Sequence, residues 1–188
     1  GTYDPGNDSF TKVYLALNGT DASTTITDSN VGGSAHTWTA NGNAQIDTDQ
    51  SKFGGASGLF DGTGDYVTTP DHADFTLGAD DWTIDTWFNV GGGAGGTRAM
   101  CGQADSAGTA TTRTAEITMS GGNVLVGTVA IGSVLTNVTG TTAFTSTGWH
   151  HVAFVRTGNT LKLFLDGVQE GGDVAIAGTI NDSSNDYS

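Results

Sequence analysis

The 188 residues suffice for one domain with a single extended core and would leave two domains cramped. Twenty Asp and Glu against six Lys and Arg give a net charge of −14, a balance that repels nucleic-acid backbones and anionic membrane surfaces alike, so neither nucleic-acid binding nor membrane insertion is expected. Thirty glycines, two prolines and abundant Thr and Ser argue for many short strands joined by tight turns rather than helices.

In chain order, "VYLAL" at Val13–Leu17 is the first predicted strand. "HTWTANGNAQI" reads as a hairpin turning at Asn41-Gly42, and "GLFDGTGDYVT" as a second hairpin turning around Gly62 to Gly64. In "DWTIDTWFNV", alternation puts Trp82, Ile84, Thr86, Phe88 and Val90 on one face and Thr83, Asp85, Trp87 and Asn89 on the other. A tryptophan on each face predicts a central strand, covered inside by a second sheet and partly sheltered outside. The glycine-rich Gly91 to Gly96 reads as a mobile loop within one domain. Cys101, the sole cysteine, sits in the apolar run "RAMCGQ" and reads as a buried, inert thiol. Further strands are predicted at "AEITMS", "NVLVGTVAI" and "SVLTNV".

The stretch "WHHVAFVR" sets Trp149, His151, Ala153 and Val155 on one face and His150, Val152, Phe154 and Arg156 on the other. The adjacent histidines therefore point in opposite directions and do not share one metal ion. "TGN" then turns the chain into "TLKLFLDG", whose Leu161, Leu163 and Leu165 share a face, and Asp166-Gly167 turns it again. Short strands separated by turn signals at this frequency are the pattern of an antiparallel β-sandwich.

Function is less directly written. A sugar site needs an aromatic platform rimmed by polar groups. Trp38 with His36, on one side of "HTWTA", is such a candidate, and Trp38 as an inward core residue is the competing reading. Asp105 and Arg113, at the ends of a long loop, are a second candidate pair. Eighteen of the twenty carboxylates are aspartates, which suits turns that bond to their own backbone and also suits loops that hold calcium. Asp28 and Asn30 in "TDSN" are one oxygen cluster of that kind, with an Asx turn as the alternative. Catalysis is not expected: Glu116 and Glu170 are too far apart to form the strand motif of jelly-roll glucanases, and of Asp81 and Asp85 only the latter falls within a strand pattern. Neither a Gly-x-Ser-x-Gly elbow nor a histidine beside Cys101 is present.

Three stretches in order, "SKFGGASGLFDGTGDYVTTP", "DWTIDTWFNV" and "GWHHVAFVRTGNTLKLFLDGVQEGG", resemble the laminin-G-like, concanavalin A-like jelly-roll domains. The resemblance implies an all-β, two-sheet antiparallel β-sandwich over residues 13–188, preceded by a lead-in of residues 1–12. "VYLALNGTDASTTITDSN" and "TANGNAQIDTDQSKFGGAS" look like the versions found in bacteriophage tail and other virion proteins. Members of the family usually continue past the position of Tyr187 with a closing strand, so these residues are expected to need either more chain or a neighbouring subunit. In the related pentraxin branch an acidic loop holds calcium; its counterpart here keeps only Asp105, so that site is expected to be absent or incomplete. The opening "GTYDPGND" reads as a processed product or a segment of a longer polypeptide. The expectation is a non-enzymatic module of a virion or extracellular assembly, touching other subunits or glycans. A lectin for host attachment, with calcium as its conceivable cofactor, and a binding module of a secreted hydrolase are the alternatives.

Overall fold

The computed structural model describes residues 7–91, 96–104, 109–143 and 147–188. The chain divides into two compact units, Gly1–Phe75 with Ser188, and Thr76–Tyr187.

In the first unit, β1 (Thr25–Thr27), β2 (Thr37–Asn41) and β5 (Tyr66–Thr68) form an antiparallel sheet in the order β1-β2-β5, and β3 (Gln45–Asp47) pairs with β4 (Ser57–Leu59). Ile26, Trp38, Ala44, Ile46, Ala56 and Phe75 are buried here, Phe75 at the end of a 3-10 turn over Ala73–Phe75. Two sequence expectations fail in this unit. The predicted hairpins do not form: β2 pairs with β1 and β5, and β4 pairs with β3. The turns themselves exist, and the carboxylate of Asp65 accepts the amides of Asn43 at 2.6 Å and Asp61 at 2.7 Å. One side chain thus fastens both turns together and leaves their flanking strands to other partners. Nor is Val13–Leu17 a strand. Leu15 makes a single bridge to Asp28, and Leu17 adopts a φ of 49°, which ends the extended run.

The second unit holds two four-stranded antiparallel sheets. One has the order β10-β9-β8-β7, with β7 Arg98–Gly102, β8 Ala115–Met119, β9 Val124–Ile131 and β10 Val134–Ala143. The other has the order β13-β12-β11-β6, with β6 Trp82–Asn89, β11 Trp149–Thr157, β12 Thr160–Leu165 and β13 Val168–Ala175. Their inner faces share one core: Ile117, Met119, Leu125, Val129 and Val138 meet Val152, Phe154, Leu161, Leu163 and Leu165, with Trp82, Ile84 and Phe88 packed against them. This is the expected two-sheet sandwich, and the residues that alternation grouped together, Trp82, Ile84 and Phe88 on β6, Val152 and Phe154 on β11, and Leu161, Leu163 and Leu165 on β12, turn into its core. Gly127 on β9 marks how closely the sheets approach, because a Cβ there would lie 2.6 Å from the Phe154 ring.

The turns of this sheet follow the sequence. β11 and β12 are joined through Gly158 at φ 56°, with Thr157 opposite Thr160. β12 and β13 are joined through Asp166 and Gly167 at φ 49° and 78°, the two positive angles of a type I′ hairpin. β6 is not central, as its two tryptophans had implied; it ends the order and pairs with β11. The shelter on its outer face comes from a cross-strand neighbour, not from a further strand.

Candidate functional site

The outer face of the β13-β12-β11-β6 sheet carries an aromatic and polar platform. Register places Trp87 opposite His151, and Asp85 opposite Ala153, which in turn faces Phe164 and then Gln169 across the sheet. The rings of Trp87 and His151 lie 5.1 Å apart at 38°, and His151 Nε2 is 3.8 Å from Asp85 Oδ1. Trp87 remains 37% exposed, and the Asp85 side chain 56%. Ala153 separates Asp85 from Phe164 across the sheet. Along one edge Lys162 pairs with Asp173 at 3.2 Å, and Gln169 donates to Asp173 at 2.7 Å. A planar aromatic ring beside an imidazole and a carboxylate offers an apolar face with hydrogen-bonding groups at its rim.

His150 turns away from this platform. Its Nδ1 lies 2.7 Å from Asp166 Oδ2, while Asp166 Oδ1 accepts the backbone amide of His151 at 2.9 Å. Burial pushes the Asp166 carboxyl up, but the hydrogen bonds from His150 and His151 and their nearby charge outweigh it and hold the group below the ordinary value. The two imidazoles thus occupy opposite faces, as alternation requires.

The residues singled out in the sequence lie elsewhere. Trp38 is 8% exposed, a core residue of the first unit with its indole 3.5 Å from Asp28 Oδ2, and its ring offers no platform. Two side chains cannot stack a ligand when one of them fills a core, so the His36–Trp38 pairing is corrected. His36 is brought instead to His72 and Asp74. Asp105 lies outside the described residues, as do residues 92–95 of the expected glycine loop. Arg113 is drawn into an ion pair with Glu116, both side chains mostly buried, so its guanidinium is engaged within the fold. The "TDSN" segment is an Asx turn: Asp28 Oδ1 accepts the amides of Asn30 at 3.1 Å and Tyr14 at 3.0 Å.

Glu116, Glu170 and Asp81 are engaged in structural contacts. Burial pushes Glu116 up, only partly offset by Arg113. Glu170 accepts four hydrogen bonds from Thr141 and Thr142. Asp81 precedes β6 and accepts the Gly158 amide at 2.6 Å. Burial and the Asp85 charge push the Cys101 thiol to about 12, so it stays protonated and inert near neutral pH. Trp87 and His151 went unchosen in the sequence, where alternation only grouped Trp87 with Thr83, Asp85 and Asn89 and His151 with Trp149, Ala153 and Val155. The signal was a tryptophan on the polar side of an alternating strand; what was missing was the register that sets it against an imidazole.

Among solved structures, the chain is similar to domain 4 of AbnA, a GH43 extracellular arabinanase from Geobacillus stearothermophilus, in complex with arabinotriose. The TM-score is 0.57 at 16% identity, over 89% of this chain and 76% of that one, which is a likeness of fold. No curated protein matches in sequence. The family pattern described as the concanavalin A-like lectin/glucanases superfamily, in its laminin-G form, matches residues 61–187. That span takes in the whole two-sheet sandwich with its outer-face platform, and the chain belongs to the concanavalin A-like lectin/glucanases superfamily.

Proposed function

We propose that this chain is a non-catalytic carbohydrate-binding module and that it binds glycan on the outer face of the β13-β12-β11-β6 sheet. The observation that carries the reading is the exposed Trp87 ring beside His151 and Asp85. The engagement of Glu116, Glu170 and Asp81 in structural hydrogen bonds and ion pairs supports a binding role over hydrolysis. The arabinotriose held by the AbnA domain makes arabino-oligosaccharides the first ligands to try. The setting we infer is attachment within an extracellular or virion assembly, where such a module holds a larger protein against a glycan surface.

A glycan array that includes arabinan fragments, run with and without chelator, tests this. Saturable binding to a discrete set of glycans is expected, unaffected by chelator because the platform groups bond to hydroxyls directly. Trp87→Ala is expected to weaken it by about 2 kcal/mol, roughly thirtyfold. Absence of saturable binding, or binding indifferent to Trp87→Ala, would refute the reading.

A further inference from the structure

A second group of side chains meets in the first unit. His36 lies just before β2, while His72 and Asp74 stand at the 3-10 turn over Ala73–Phe75. His36 Nε2 is 3.4 Å from Asp74 Oδ2, His72 Nδ1 is 3.3 Å from the same oxygen, and one ligand atom from each residue lies within 4.8 Å of the others. The His36 side chain is only 4% exposed, yet its Nε2 has no hydrogen-bond partner. Leaving such an atom unsatisfied costs about 1–3 kcal/mol, and an orphan aimed at a carboxylate and a second imidazole calls for an explanation.

We propose that His36, His72 and Asp74 bind a zinc ion, with a fourth position open to solvent. Zinc bonds of about 2.0–2.2 Å in tetrahedral geometry place ligand atoms roughly 3.3–3.6 Å apart, and the separations of His36 Nε2 and His72 Nδ1 from Asp74 Oδ2, 3.4 and 3.3 Å, match that edge length. An imidazole-rich donor set suits zinc and not calcium, which takes six to eight oxygens. The Ser34 amide donates to Asp74 Oδ2 at 2.7 Å. Lys12 Nζ sits 3.7 Å from Oδ1, the other oxygen, and the Ser34 amide uses one of the two lone pairs on Oδ2, so that oxygen keeps one for the ion. His72 Nδ1 also accepts the Asp74 amide at 3.1 Å. Its side chain is 43% exposed, and coordination through Nδ1 replaces that bond. The Phe75 ring, 4.8 Å from that of His36, fixes the orientation of the buried ligand. Bound zinc would clip the segment before β2 to the 3-10 turn.

The test is titration of the purified chain with Co2+ and Zn2+ against a chromophoric chelator, with circular dichroism confirming that each variant is folded. One equivalent is expected, with a Co2+ visible spectrum of tetrahedral type that Zn2+ displaces. His72→Ala removes an exposed side chain and Asp74→Asn retains an acceptor for Ser34, so both variants are expected to fold. Each should weaken zinc at least as much as losing an outer-shell partner does, roughly 10–100-fold. His150→Ala, in the other histidine cluster, should leave the affinity unchanged. Failure to compete with the chelator, equal affinity in His72→Ala and Asp74→Asn, or loss of zinc in His150→Ala instead would each overturn the proposal.

Discussion

At the residue scale, Glu170 shows how one carboxylate can be structural where its chemistry would allow catalysis. It sits on β13 with 6% exposure, and its oxygens accept the Thr141 amide at 2.6 Å, the Thr142 amide at 2.9 Å and the Thr142 hydroxyl at 2.6 Å. β13 and β10 end their respective sheets, so this side chain staples the two layers along one margin. Burial raises its pKa, and the hydrogen bonds more than compensate, leaving it below the ordinary 4.5. A depressed folded value means the stabilisation is complete above 4.5 and is lost as pH falls through the lowered value. Glu170→Gln is therefore expected to cost about 1.5–3 kcal/mol at pH 7, with the gap from the unsubstituted protein shrinking at pH 3. Denaturant melts at both pH values check it, and a gap independent of pH would contradict it. No sequence signal marked this role: Glu170 follows a turn, and its partners lie 28 and 29 positions away.

At the scale of elements, most strands of the second unit were readable because an alternating pattern sets which side chains turn inward whatever the partner strand. Arg156 is an exception. Alternation put it on one face with Val152 and Phe154, and that face turns inward, leaving Arg156 1% exposed and donating to the carbonyls of Gly158 at 2.9 Å, Gly78 at 3.0 Å and Gly178 at 3.2 Å. A buried cation held by the adjoining turn and by two carbonyls distant in the chain is invisible to pattern reading, since none of those carbonyls carries a side-chain signature. The C-terminal segment is tied down in the same way. Gln103, fully buried, donates to the carbonyls of Ser183 at 2.9 Å and Asn185 at 2.8 Å and accepts the Thr114 hydroxyl at 2.8 Å. Asn181 donates to the carbonyls of Ala110 and Gly132. Among the described residues this segment lies on the sandwich through these side-chain bonds, the backbone bonds of Ile180 to Gly78 and Asn181 to Ala130, and the isolated bridge of Gln103 to Tyr187, not through a ladder. Gln103→Ala is expected to destabilise by about 2–4 kcal/mol, since two carbonyls and a hydroxyl lose a buried partner. Amide exchange over residues 181–187 should speed up well before the strands of the core do, and uniform protection there would count against the anchoring role.

At the scale of the whole molecule, charge dominates. With −14 on 188 residues, self-repulsion opposes the compact state, and the described ion pairs involve few cations, such as Lys12 with Asp74 and Lys162 with Asp173. Raising sodium chloride from about 0.01 to 1 M shortens the screening length from roughly 30 to 3 Å, so the melting temperature is expected to climb across that range. A fall would mean that local ion pairs outweigh the net repulsion. Composition and alternation by themselves determined the all-β class, which residues of β6, β11 and β12 share a face, the opposed directions of His150 and His151, and the turns at Gly158 and Asp166-Gly167. Those properties are local, set by backbone geometry over a few residues. Which strands pair, that Trp38 fills a core while Trp87 stays open, and that His36, His72 and Asp74 meet were decided by tertiary structure. Each depends on register and burial between segments distant in the chain, and no local pattern encodes which distant surface a side chain will face.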